Sequence, residues 1–229
     1  MALVKKYPSL VTGFVNKGEN LYAVEFKSEC GVYKYSPGQF LHLALDEYDP
    51  SAQWPESRCF SMQSAPSDET IKITFSVKGV FTNRMKNELF TGKKVTLKLP
   101  FGNLFEQKHS KTNTVFIAGG TGLTPFLSLF TNTTFGNYIN PVLYAGFRNR
   151  ALNIYNDELE SAKIINPSFR PMIQYEDEAG MLDIKIILAE NPENPAFFIS
   201  GPPLMIKFFK TYLLDQGANE SNVLNDNWE

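Results

Sequence analysis

The segment Ile117-Ala118-Gly119-Gly120-Thr121-Gly122-Leu123-Thr124-Pro125-Phe126 sets three glycines where an apolar run gives way to a helical pattern. Gly119, Gly120 and Gly122 let the backbone take unusual angles and approach a ligand, Thr124 suits an N-cap and Pro125 suits the first helical position. Free N–H groups and the positive end of a helix would then converge, which is the chemistry of a pyrophosphate cradle. The same glycines would serve a tight packing turn, and Phe126 and Leu127 stand where the third Gly of G-x-G-x-x-G would fall. A second junction, Ile199-Ser200-Gly201-Pro202-Pro203-Leu204-Met205, repeats the design, with Gly201 for close approach and a proline to start the helix. Two such junctions on one parallel sheet suit the two ends of an extended dinucleotide, which packing alone does not require.

Arg58-Cys59-Phe60-Ser61 reads as a strand, projecting Arg58 and Phe60 to one side and Cys59 and Ser61 to the other. An arginine forks onto phosphate, an aromatic ring stacks on a flat heterocycle, and a serine hydroxyl bonds a ring nitrogen. By itself the tetrad also fits a half-buried edge strand with a surface arginine. The strand Ile71–Val77 runs into Lys78-Gly79-Val80-Phe81-Thr82-Asn83-Arg84-Met85, a glycine turn into a short helix with Thr82 as N-cap, hence another phosphate-facing helix start.

These residues need elements to position them. Between Ser9 and Leu99, alternating segments cut by turn residues predict strands at Val11–Val15, Leu21–Phe26, Gln39–Leu45, Arg58–Met62, Ile71–Val77 and Lys94–Leu99, with one helix over Thr82–Leu89. That spacing suggests a small antiparallel barrel or sandwich. After the polar stretch Lys108–Thr112, buried runs alternate with helical patterns: Val115–Ala118 before Thr124-Pro125, Val142–Phe147 before Ile154–Ala162, Met172–Tyr175 before Leu182–Leu188, and Phe197–Ser200 before Leu204–Gln216. Such alternation means βαβ units and a parallel sheet covered on both faces. A boundary near residue 110 divides the chain into 1–110 and 111–229. Ligands in such architectures sit at the carboxyl ends of parallel strands and between domains.

Arg58-x-Phe60-Ser61 resembles the R-x-Y/F-S/T flavin motif of the ferredoxin–NADP reductase superfamily, and Gly79-Val80-Phe81-Thr82 resembles its G-x-x-S/T diphosphate motif. The loop Gly119–Pro125 resembles its nicotinamide-nucleotide loop, and Ser200-Gly201-Pro202-Pro203-Leu204-Met205 its C/S-G-P-P-x-M junction. Pro37-Gly38-Gln39-Phe40 and Pro100-Phe101-Gly102-Asn103 are similar to the family's barrel signatures, so the likeness covers almost the whole chain. It implies a β + α/β protein, an antiparallel FAD-binding β-barrel followed by a parallel-sheet nicotinamide-nucleotide-binding domain. Carried over, Arg58 binds the FAD diphosphate, Phe60 stacks on the isoalloxazine, and Ser61 sits near its N5. Cys59, Val77, Lys78, Gly79, Phe81 and Thr82 complete the flavin site. The nicotinamide enters between Gly120-Thr121-Gly122, with Thr124, and Ser200-Gly201-Pro202, with Met205.

The family's activity follows as an expectation: hydride passes from NADH or NADPH to flavin N5, with the reacting atoms about 3–3.5 Å apart, and electrons leave singly to a separate acceptor. Ser61 and Ser200 orient the two rings and no general base is required. Ser200 replaces the cysteine of plant-type members, and Phe60 keeps the stack of the commoner Tyr without its hydroxyl. Asn225-Asp226-Asn227-Trp228-Glu229 looks like the E-x-aromatic ending of bacterial members, which makes Trp228 a flavin cover or a frayed terminus. Where NADP-specific relatives place Ser-Arg, this chain has Glu176-Asp177-Glu178, which favours a plain ribose and therefore NADH. Arg148 and Arg150 could instead reach a phosphate, or pair with those acids.

Composition narrows the classes further. The 229 residues are 43% apolar and carry a net charge of −2, which supports a large core and leaves no basic field for nucleic acid or an anionic membrane. Cys30 and Cys59 are too few for a disulfide framework or an iron–sulfur cluster of the chain's own, and His42 and His109 too few for a histidine metal site. The acceptor is therefore expected to be a ferredoxin-like or flavodoxin-like protein, an oxygenase component, or free flavin. With no signal-peptide pattern at Met1–Pro8 and no run approaching a membrane span, the chain reads as cytoplasmic. Two other functions remain open on the sequence: a flavin reductase that releases its flavin, and a non-catalytic nucleotide-binding subunit of a larger electron-transfer complex.

Overall fold

A computed structural model describes residues 3–225. The amino-terminal half contains β1 (Lys5–Gly18), β2 (Leu21–Ser28), β3 (Phe40–Ala44), β4 (Ser57–Ser61), β5 (Thr70–Ser76), α1 (Val80–Glu88) and β6 (Lys94–Phe101). All strand pairs are antiparallel, in the order β4-β3-β6-β1-β2-β5, and the edge strands β4 and β5 approach each other, which makes a nearly closed barrel. Alternate residues such as Val24, Phe26, Leu41, Leu43, Ile71 and Ile73 fill it. β1 is longer than the expected Val11–Val15 and runs through Pro8. At Pro8 the register with β6 continues, while that with β2 has ended at Ser9 and only the Pro8 carbonyl accepts there, from Glu29 N at 2.9 Å, so the missing N–H falls at the end of the β1–β2 ladder.

The second half contains β7 (Val115–Gly119), α2 (Thr124–Phe130), β8 (Val142–Phe147), α3 (Asn156–Ile165), β9 (Arg170–Tyr175), α4 (Glu176–Ala179), α5 (Ile184–Glu190), β10 (Phe197–Ser200), α6 (Pro203–Asp215) and β11 (Val223–Asn225). The parallel sheet has the order β11-β10-β7-β8-β9. Period-two alternation sends Phe116 and Ala118 into a core shared with Phe126, Phe130 and Tyr155, and sends Val115 and Ile117 into an opposite core with Ile184, Phe209 and Leu213. Helices α2 and α3 thus cover one face, and α5 and α6 the other. Ser200 pairs with Ala118, Gly119 with Gly146 and Phe147 with Tyr175, so four strands end along one line. β11 is an unexpected fifth strand, too short at three residues to leave a pattern.

The halves also touch directly. The Gly38 N–H donates to the Ser128 hydroxyl at 2.7 Å, and Gln63 of the barrel donates to Glu158 of α3 at 2.8 Å. Among the described residues no helix is long and apolar enough to cross a membrane.

Candidate active site

The carboxyl ends of β7, β8, β9 and β10 face β4 and β5 of the barrel across a cavity of about 820 Å³. From the barrel come Cys59, Phe60, Ser61, Thr74 and Lys78; from the parallel sheet come Gly120, Thr121, Gly122, Thr124, Arg148, Glu176, Ser200, Gly201, Pro202 and Met205. A recess of about 190 Å³ shares Phe60, Thr74, Lys78 and Thr121 and adds Thr82.

The two glycine junctions lie side by side. A Cβ on Gly122 would come within 2.5 Å of the Gly201 Cα and the Ser200 carbonyl oxygen, so only glycine lets these backbones meet. Gly120 has φ +54° and nothing within 4 Å of its missing side chain. The expectation that the junctions hold opposite ends of a dinucleotide is corrected by this contact: β7 and β10 are neighbours and form a single mouth. Arg148 and Glu176 follow the ends of β8 and β9 and line the same cavity.

Thr124 is not an N-cap. A 3₁₀ turn over Gly120–Leu123 precedes α2, and Thr124 lies inside helical geometry with its hydroxyl donating to the Thr121 carbonyl at 2.8 Å. The turn begins at Gly119 with no side-chain cap, which leaves its first N–H groups directed at the cavity mouth. Thr82 is likewise displaced from its expected role. Gly79 caps α1, while the Thr82 hydroxyl folds back to accept from Lys78 N at 2.9 Å and Gly79 N at 3.0 Å. The N–H groups of the first helical turn remain for an anion.

The predicted two-sidedness of Arg58–Ser61 is seen in the contacts: Arg58 lies by Phe81 and Phe60 by Phe75, both of the barrel core, whereas Cys59 turns to His42; Cys59, Phe60 and Ser61 nonetheless all border the cavity, since β4 is an edge strand. Phe60 also packs edge-on against Phe75, with ring centroids 6.3 Å apart, which fixes its plane. Arg58 lies outside the wall; its guanidinium sits 5.3 Å from the Phe81 ring and 3.0 Å from the Glu56 carboxylate. Phe81 belongs to the barrel core, so only its backbone is available to a ligand, and Val77 packs against the same core. Trp228 lies outside the described residues.

Ser61 and Ser200 are buried, at 7% and 4% exposure, and neither hydroxyl has a hydrogen-bond partner among the described residues. Ser61 comes from the barrel and Ser200 from the parallel sheet, and both line the cavity, where a hydroxyl can donate to or accept from a polar ligand. Cys59 Sγ lies 3.5 Å from His42 Nε2, and burial together with nearby Lys98 lowers the His42 pKa.

At the far end, Arg150 is committed to Glu178 through bonds of 2.6 and 2.7 Å and stacks over Tyr175 at 4.7 Å. The acidic run opens the short helix α4, and of its three acidic residues Glu176 alone lines the cavity. The sequence reading missed Thr74. Its signal was a polar residue at a buried position of β5, between Ile73 and Phe75.

The residues fit both groups the architecture implies. An aromatic face with an unpaired serine suits isoalloxazine, a cation beside an open helix start suits a diphosphate, and the glycine mouth admits a nicotinamide nucleotide. The chain matches an FAD-binding domain over residues 9–125 and an oxidoreductase NAD-binding domain over residues 116–211. It belongs to the ferredoxin–NADP reductase superfamily.

Among its relatives, a flavohemoprotein of Rhizobium meliloti is 24% identical over 215 residues, covering 84% of this chain and 52% of that protein. The anthranilate 1,2-dioxygenase electron transfer component of Acinetobacter baylyi is 23% identical over 232 residues, covering 96% of this chain and 66% of that one. The chain thus spans about half to two-thirds of these relatives. A ferredoxin NADP+ reductase from Neisseria gonorrhoeae, solved with FAD and NADP, superposes with a TM-score of 0.76 at 19% identity, over 95% of this chain and 93% of that one.

Proposed function

We propose that this chain is an FAD-dependent reductase that takes hydride from NADH or NADPH and passes electrons to a separate acceptor. The observation that carries the reading is the single cavity bounded on one side by Phe60 and Ser61 and on the other by Gly120–Gly122 and Ser200-Gly201. Bound FAD would supply the hydride-accepting and single-electron chemistry that no side chain can. The chain's own work is binding and alignment. Phe60 supports one ring, Ser61 and Ser200 direct hydrogen bonds at ring edges, and the walls exclude water. Arg58 and the first turn of α1 hold the diphosphate, and Arg148 and Glu176 read the adenosine end of the nucleotide. The boundary near residue 110 separates the flavin half from the nucleotide half.

The acceptor is a redox protein or an oxygenase component, a reading supported by the name of the Acinetobacter relative, an electron transfer component. Cys30 and Cys59, neither of them in a disulfide, suit a reducing, cytoplasmic compartment. Reconstitution of the refolded protein with FAD and FMN tests the reading. It requires FAD to stay bound through reduction by NADH or NADPH, whereas loss of flavin on reduction would indicate a flavin-releasing reductase. Equal retention of FMN would remove the diphosphate role of Arg58 and α1.

A further inference from the structure

A chain of side chains runs from the cavity wall across the boundary between the halves. Thr74 lines the cavity beside Phe60 and Thr121, and its hydroxyl donates to Gln63 Oε1 at 2.7 Å. Gln63, 2% exposed, donates through Nε2 to Glu158 Oε1 at 2.8 Å. The same carboxylate oxygen takes Lys72 Nζ at 2.8 Å, in an ion pair whose side chains are 29% and 17% exposed. Lys72 and Thr74 belong to β5, whereas Glu158 belongs to the first turn of α3, where the helix dipole favours a carboxylate.

The donor and acceptor inventory allows one arrangement. A carboxylate only accepts, so Gln63 must turn its NH₂ to Glu158 and its carbonyl to Thr74. The Thr74 proton is then committed to Gln63, and the oxygen presents lone pairs alone to the cavity. The buried Tyr155 hydroxyl lies beside Thr74 and competes for one of the two lone pairs, which leaves the second for the cavity.

We propose that Glu158 is a positioning residue for hydride transfer: through Gln63 it sets Thr74 as a hydrogen-bond acceptor for a ring N–H in the cavity, and with Lys72 it fixes α3 against β5. This rests on the reductase reading above. A buried network satisfied at every member specifies one geometry, and a network missing one member does not. Glu158→Leu leaves the Gln63 amide without its acceptor and free to flip, and leaves Lys72 without a partner. Glu158→Gln still offers one oxygen to both Gln63 and Lys72.

The test is anaerobic stopped-flow reduction of FAD-loaded wild type, Glu158→Leu and Glu158→Gln by NADH and NADPH, together with hydrogen exchange of the same proteins without flavin. We expect Glu158→Leu to lower the limiting reduction rate about tenfold while the apparent nucleotide Kd stays within threefold, and Glu158→Gln to stay within threefold of wild type in both. In the flavin-free protein, the Gln63 amide, which donates to Lys72 O at 2.8 Å, should exchange about tenfold faster in Glu158→Leu. A limiting rate in Glu158→Leu within twofold of wild type overturns the proposal, as does a Glu158→Gln rate as slow as that of Glu158→Leu. Should Glu158→Leu fail to fold, Thr74→Val is the second variant: a tenfold slower limiting rate supports the proposal and an unchanged rate overturns it. If neither nucleotide reduces wild type, the reductase reading falls, and unchanged exchange at Gln63 would separately refute the fixing of α3 against β5.

Discussion

Replacing Glu176 by Gln should shift the nucleotide preference toward NADPH, and the place of Glu176 on the cavity wall bounds the size of the shift. The sequence offers three acids after β9, but Glu178 is paired with Arg150 and Glu176 alone of the three lines the cavity, together with Arg148, whose side chain has no ion-pair partner among the described residues. A 2′-phosphate placed roughly 6 Å from Glu176, at an effective dielectric of 40–80, meets about 0.7–1.4 kcal/mol of repulsion per phosphate charge. With about 1.5–2 charges on the phosphate the repulsion reaches about 1–3 kcal/mol, and the exposure of Glu176 places it toward the lower end, near tenfold. Arg148 opposes it with similar strength, so wild type should prefer NADH only modestly, by less than about tenfold in kcat/KM. Steady-state reduction of an artificial acceptor by each nucleotide checks this. Glu176→Gln should raise kcat/KM for NADPH about tenfold, Arg148→Ala should lower it by a similar factor, and NADH should change less than twofold in each. Asp177→Asn should do little, because Asp177 does not reach the wall. If Asp177→Asn matches Glu176→Gln, or if wild type prefers NADPH severalfold, the adenosine end lies elsewhere.

Arg58→Ala should weaken FAD binding by about 1.5–3 kcal/mol and FMN binding little, since only FAD brings a diphosphate to the cation beside α1; equal losses in titration calorimetry would place Arg58 elsewhere. Gly122→Ala should abolish nucleotide binding and cost about 1–3 kcal/mol of stability, because its Cβ meets two backbones at 2.5–2.6 Å, whereas Gly120→Ala, open but at φ +54°, should cost only about 1 kcal/mol; equal Tm losses would contradict the contact. His42 and His109 are both held below their usual pKa of 6.5, chiefly by burial, so the unfolded chain binds protons more readily. Stability from these residues is full above 6.5 and is lost as pH falls through the lowered values, so His42→Gln with His109→Gln should flatten the Tm profile between pH 7 and 5.

The fold was legible where periodicity is strong. The apolar runs at Val142–Phe147 and Phe197–Ser200 are strands with those bounds, because strands buried on both faces leave continuous apolar signals. β1 extends before the expected Val11–Val15 because residues 5–10 pair with β6, a long-range partner that local alternation does not reveal, and β11 is three residues beside one neighbour. The glycines announced the mouth of the site, yet contact between Gly122 and Gly201 depends on β7 and β10 being neighbours, which is topology and not local sequence. Thr124 and Thr82 match the N-cap pattern in type, but each helix begins earlier than apolar spacing indicates, so both hydroxyls bond back into the preceding turn. Thr74, Gln63 and Glu158 carry no motif at all. They are brought together only when α3 lies against the barrel.

Anaerobic reduction of the FAD-loaded protein, followed by its visible absorbance, tests the central claim most directly. The flavin band should bleach within seconds of adding one equivalent of NADH or NADPH and recover when an electron acceptor is supplied, with FAD retained on the protein throughout. A flavin that stays bound and fully oxidised in excess NADH and NADPH would contradict a single cavity that brings the two cofactors together.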